Sequence, residues 1–145
     1  MYPLPNGLII IAKRECPTCI LVEPLVRELA QGAKPLTVYI QDDPAYAAGV
    51  VNAIFDETLE HSYRLNTEIV PTLIRVEAGQ EVERTYGWHR GDWQRISGHP
   101  ELGRSLPELR PGCGSKTLDP GTAEELEIRF GKVKFSSRQV ELGEG

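Results

Sequence analysis

The sequence predicts an α/β domain, with a central mixed sheet of about four strands flanked by helices. Three observations carry this. Gly7-Leu8-Ile9-Ile10-Ile11-Ala12 is an unbroken apolar run with no polar alternation, as suits a strand buried on both faces. Directly after it the spacing becomes helical, with Cys19, Ile20, Val22, Val26 and Leu29 at mixed short intervals and Glu23, Arg27 and Glu28 between them. Strand-like runs then return at 36–40, 69–76 and 81–86, separated by turn-forming residues.

The elements follow in order. Pro3, Pro5 and Gly7 lead into the first strand. The first helix runs for about four turns, stops at Gly32 and Pro35, and is expected to kink at Pro24. Leu36-Thr37-Val38-Tyr39-Ile40 is the second strand, closed by Gln41-Asp42-Asp43-Pro44. Residues 45–65 read as helix in two pieces, with Val50, Val51, Ile54, Leu59 and Leu65 on the apolar face and Asp56 capping the second piece. The third strand spans 69–76 with Pro71 near its start. Ala78-Gly79-Gln80 is a hairpin turn, and 81–86 is the returning fourth strand. Gly87 ends that strand, and 89–97 form a short helix or turn, with Trp88 and Trp93 packing at the end of the core.

At Gly98 the composition shifts. Pro100, Pro107, Pro111, Gly112, Gly114, Pro120 and Gly121 punctuate a loop-rich tail, which divides the chain into a domain at 1–97 and an extension at 98–145. Thr122-Ala123-Glu124-Glu125 has the form of a capping box for a helical turn through Phe130, while Leu126, Ile128 and Phe130 alternate equally well as a strand. The tail carries Leu102, Leu106, Leu109, Leu118, Val133, Phe135, Val140 and Leu142 besides, too much apolar surface for a solvated linker. It is expected to fold back on the core, or to bury against a partner protein or a second copy of the chain.

The 145 residues carry sixteen Lys and Arg against twenty-one Asp and Glu, a net charge of −5. That balance argues against nucleic acid and anionic membranes as partners, since both select a basic face. The longest apolar run is far short of the roughly 20 residues that span a bilayer, and no cationic segment precedes it as in a secretory signal. The expected location is the cytoplasm.

Three cysteines are present, two of them as Cys16-Pro17-Thr18-Cys19 at the junction of the first strand and first helix. In a reducing compartment, a close pair is more often catalytic or metal-binding than structural. At a helix N-terminus the free backbone N–H groups and the helix dipole favour an anion, which lowers a cysteine pKa. Cys16 is therefore the expected exposed, low-pKa nucleophile, and Cys19, one turn into the helix, the shielded resolving thiol. Pro17 fixes the first helical turn. A zinc site is the weaker reading: it would have to recruit Cys113, His61, His89 or His99, none of which forms a second close pair. No metal is expected, and no cofactor beyond a redox-active Cys16–Cys19 disulfide. Cys113, between Gly112 and Gly114, reads either as a spectator or as a third redox thiol. Asp42, Asp43, Asp56 and Glu57 read as caps and solvated faces.

The order strand, Cys-Pro-Thr-Cys, helix, strand, helix, strand at Val70-Pro71-Thr72, hairpin strand, short helix resembles the thioredoxin superfamily over residues 7–97. Pro24 matches that family's kink proline, Gly79 its hairpin glycine and Gly87 the glycine closing its last strand. The resemblance implies a thioredoxin-like fold and a thiol–disulfide oxidoreductase, with Pro71 in a cis bond facing Cys16. It further implies that Val70 offers its main chain to an extended substrate, so Pro17, Thr18, Val70 and Pro71 are the expected substrate-binding residues. The partners would be a protein or small-molecule disulfide or dithiol and an electron donor. The chain departs from the family in having Glu15 where an aromatic residue usually precedes the first cysteine. Ile10 stands where a buried carboxylate assists proton transfer, so Glu15 or water would have to take that role. The six residues before Gly7 are not expected to supply the family's first strand and helix, and 98–145 is expected to have no counterpart in it. The extension motivates a second expectation, an interaction module whose tail docks on one specific protein.

Overall fold

Strand β1 (Gly7–Ala12) is the centre of the sheet: it pairs in parallel with β2 (Leu36–Ile40) on one side and antiparallel with β5 (Thr72–Glu77) on the other. A strand with neighbours on both edges, covered on both faces, must be apolar throughout. Residues 8–12 are accordingly buried without exception. The computed structural model describes residues 4–116 and residue 128. Apart from Ile128, which is exposed, the readings made for 122–130, and for Leu118, Val133, Phe135, Val140 and Leu142, lie outside the described residues.

Between β1 and β2 runs α1 (Pro17–Ala30), which buries Thr18, Cys19, Val22, Leu25, Val26 and Leu29. The helix continues through Pro24, whose missing N–H leaves the Ile20 carbonyl without its helical partner. The remaining elements are β3 (Ala53–Phe55), α2 (Glu60–Arg64), β4 (Ile69–Val70), β6 (Gln80–Tyr86), β7 (Trp88–His89), α3 (Arg90–Ser97), β8 (Leu109–Arg110) and β9 (Cys113–Gly114). The main sheet has five strands in the order β3-β2-β1-β5-β6, and α3 packs on β5 and β6. The result is a mixed α/β arrangement, a central five-stranded mixed sheet flanked by helices.

Two expectations are corrected. Residues 45–65 are not a helix in two pieces: 45–49 form turns, β3 pairs in parallel with β2, and only Glu60–Arg64 is helical. Left-handed backbone at Ala47 (φ 55) and Gly49 (φ 92) breaks any helix there, and Val51, placed on the apolar face, is 94% exposed while Leu59 and Leu65 are buried. The sheet accordingly has five strands rather than about four. Asp56 caps the helical piece as the sequence suggests, and does so from a buried position: its carboxylate accepts from the His61 and Ser62 N–H groups and the Ser62 hydroxyl.

The two tryptophans close the core next to β6. Both are fully buried, with ring centroids 5.4 Å apart. The Trp93 indole donates to the Gly87 carbonyl at 2.9 Å and that of Trp88 to the Pro107 carbonyl at 2.6 Å. Leu102 joins the same core and is fully buried. Among the described residues no helix is long and apolar enough to cross a membrane.

Candidate active site

The end of β1, the start of α1, β4 and β9 converge on one point. Cys16 is the N-cap of α1, in extended conformation, with Pro17 in the first turn. Its sulfur accepts from the Cys19 backbone N–H at 3.4 Å and lies 3.7 Å from the Val70 carbonyl oxygen. Sequence dictates the approach to this cap: the loop after β1 is held by Asp42, whose two carboxylate oxygens accept from the backbone N–H groups of Arg14 (2.7 Å) and Glu15 (2.9 Å). Asp42 was among the acids read as caps and solvated faces, and its role depends on the sheet bringing the end of β2 beside the end of β1. Glu15 is exposed.

The pair is electrically asymmetric. The Cys16 pKa falls from its ordinary 9.0 to about 5, chiefly through the hydrogen bond from the Cys19 side chain. Burial opposes this, while the Cys113 side chain and the backbone N–H groups of Cys19 and Thr18 reinforce it. Burial, and then the same contact with Cys16, push the Cys19 thiol up. Cys19 is thus a held thiol and Cys16 a thiolate at neutral pH.

The Val70–Pro71 peptide bond is cis, and both residues are buried. Val70 is opposite Cys113 in the antiparallel β4–β9 pair, with Ile69 opposite Gly114. Burial, followed by the influence of the neighbouring Cys16, raises the Cys113 pKa. All three cysteines carry free thiols. Thr18 is not open to a substrate here, because its hydroxyl donates to the Pro111 carbonyl at 2.6 Å.

One expectation about Cys16 is overturned. It was expected to be exposed, yet it is 1% accessible. Residues 106–116 form a strap over the site. β8 pairs with β7, Pro111-Gly112 crosses above Gly87, and β9 pairs with β4. Beyond β9 the Ser115 N–H donates to the Glu68 carbonyl at 2.9 Å. The buried Gln41 side chain then clamps the strap: it donates to the Ser115 hydroxyl at 2.7 Å and accepts from the Lys116 N–H at 3.0 Å. Gly112 and Gln41 are the residues that sequence reasoning missed. The glycines around Cys113 were visible as a turn signal, but nothing local told what that turn approaches.

The histidines weighed as zinc ligands are engaged elsewhere. His61 stacks on Tyr39 with centroids 4.4 Å apart, His89 accepts from the Asp92 N–H at the start of α3, and His99 meets Glu28 at 2.9 Å. Among the described residues no group of three or more His, Cys, Asp and Glu side chains is arranged to hold a metal ion.

No family model and no curated protein matches the chain. Among solved structures it is similar to that of the reduced thioredoxin pre-protein of Schistosoma mansoni. Identity is 20% and the TM-score 0.42, over 64% of this chain and 78% of that one.

Proposed function

We propose that this chain is a thiol–disulfide oxidoreductase in which Cys16 is the nucleophile and Cys19 the resolving thiol. The observation that supports this best is the split between the two sulfurs: a capped thiolate three residues before a buried thiol that hydrogen-bonds to it. In the reducing direction the Cys16 thiolate attacks one sulfur of a substrate disulfide. A mixed disulfide forms and the other substrate sulfur leaves as a thiolate, which takes up a proton. Cys19 then loses its proton and attacks the Cys16 sulfur, so the Cys16–Cys19 bond replaces the mixed disulfide and the second substrate sulfur leaves. Two electrons pass from the dithiol to the substrate, and an external dithiol returns them. Once residues 106–116 are displaced, Pro17, Thr18, Val70 and Pro71 would line the path of the substrate, with the Val70 main chain offering strand-like hydrogen bonds. No cofactor is required beyond the cysteine pair, and a reducing cytoplasm suits the chemistry.

The cover over Cys16 favours a second reading beside this one, a module that exchanges disulfides with one dedicated partner able to displace the strap. A single assay addresses both. With dithiothreitol as electron source, the wild-type chain is expected to reduce the interchain disulfides of insulin. Cys16→Ser should abolish the activity, and Cys19→Ser/Cys113→Ser, mixed with insulin without dithiothreitol, should keep a mixed disulfide between Cys16 and the insulin chain. Insulin left intact, together with reduction of a short disulfide peptide, would favour the dedicated module. If the Cys16→Ser variant stayed as active as the wild type, the oxidoreductase reading would fail.

A further inference from the structure

The segment that covers Cys16 is itself an extended strand bearing a cysteine. Cys113 is opposite Val70 in the β4–β9 register, and the Cys16 sulfur lies 3.7 Å from the Val70 carbonyl oxygen. The approach is as close as backbone allows. A Cβ on Gly112 would run into the Val70 carbonyl oxygen, and one on Gly87 would come within 2.7 Å of the Gly112 nitrogen. Thr18, between the paired cysteines, ties down the Pro111 carbonyl. An outside peptide adding to β4 by its main chain would need the same edge and the same carbonyl. The strap is seated where such a peptide would lie, with Cys113 at the position opposite Val70, whose carbonyl oxygen is 3.7 Å from the nucleophile.

We propose that Cys113 is a third catalytic thiol, an internal exchange partner of Cys16, so that the oxidised chain holds its disulfide either as Cys16–Cys19 or as Cys16–Cys113. This rests on the oxidoreductase reading, which supplies the first disulfide. The exchange itself needs no oxidant. The Cys113 thiol gives up its proton and its sulfur attacks the Cys16 sulfur. The Cys16–Cys113 bond forms, the Cys16–Cys19 bond breaks, and its electron pair stays on the Cys19 sulfur, which takes up a proton. Cys19 is thereby restored as a thiol inside the core. The bond ties the strap across β4, and an external strand reaches Cys16 only after this disulfide is opened and the strap is displaced. The substrate class that fits is an extended peptide disulfide that competes with residues 111–114 for the β4 edge.

Ellman's reagent tests this. In reduced Cys19→Ser, Cys16 releases one thionitrobenzoate and keeps the other as an adduct. If Cys113 then attacks the Cys16 sulfur, a second is released, leaving an adduct-free chain two hydrogens lighter than the reduced one. Cleavage after Arg14, Arg27, Arg104 and Lys116 puts Cys16 and Cys113 on different peptides, which should appear joined. Cys19→Ser/Cys113→Ser should release one equivalent and keep its adduct. Gly112→Val in the Cys19→Ser background should slow the second release severalfold. An adduct on Cys16 as long-lived in Cys19→Ser as in the double variant overturns the proposal. The wild-type chain, oxidised by one equivalent of reagent, provides the same peptide map without any substitution, and absence of the joined peptides there overturns it equally. Insulin reduction by the wild type is scored separately. An active wild type whose Cys16 and Cys113 never join would remove only this inference, while joined peptides in a chain inert toward every disulfide substrate would remove the oxidoreductase reading.

Discussion

Cys16 combines two circumstances that ordinarily oppose each other, burial and a low pKa. Burial alone would raise a thiol, because a thiolate loses its water. Here the Cys19 side chain outweighs it, with Cys113 and two backbone N–H groups adding to the effect. The helix N-terminus that the sequence pointed to is thus one contributor among several. The sign is fixed: the thiolate is present above about pH 5 and is protonated as the pH falls through that value. Ultraviolet absorbance of the reduced protein should therefore lose one thiolate signal around pH 5. Cys19→Ala removes the strongest donor and should move that midpoint upward. Cys113→Ala should move it upward by less, and the reverse order would show the wrong neighbour to be dominant.

Among the elements, α2 shows how a short helix is kept. It has five residues, too few to be stable alone, and begins after Leu59 in left-handed backbone (φ 63). Asp56 supplies what the terminus lacks, satisfying two backbone N–H groups and the Ser62 hydroxyl from a buried position. Ser62 also accepts from Gln41, which clamps the strap, so the cap and the strap share one polar chain. Asp56→Ala should cost about 1–2 kcal/mol in denaturant unfolding, the usual range for a lost cap, and Asp56→Asn distinctly less. Equal stability of Asp56→Ala and the wild type would remove this account of α2.

For the whole molecule, the decisive feature is that residues beyond the composition shift at Gly98 share the core with those before it. Leu102 is fully buried, Leu106 is packed against the same cluster, and the Trp88 indole is satisfied by the Pro107 carbonyl. Gly103 (φ 66) lets the chain pass against the Trp88 ring, where a Cβ would collide. Leu102→Ala should cost about 2–5 kcal/mol of unfolding free energy, a core value and not a loop value. A loss below about 0.5 kcal/mol, typical of surface positions, would detach this segment from the core.

What the sequence determined by itself is what local pattern can encode. The apolar run 7–12 specified a central strand, because only such a strand is dry on both faces. Helical spacing after Cys19 specified α1, with Cys16 just before it and Cys19 in its first turn, and the Ala78-Gly79-Gln80 signal specified the β5–β6 hairpin. Residues 45–65 misled because Val50, Val51 and Ile54 fit a helical face as well as a strand. The choice fell to the open edge of β2, which Ala53–Phe55 fills. Only the tertiary structure decided that Cys16 is covered, that Cys113 is brought opposite Val70 beside it, and that Asp42 and Gln41 hold the two sides of the site. Those contacts join residues 27 to 97 positions apart in the chain. They depend on the pairing of β9 with β4 and on side chains that bind main-chain N–H groups, which every residue but proline carries, so the partners leave little trace in side-chain pattern.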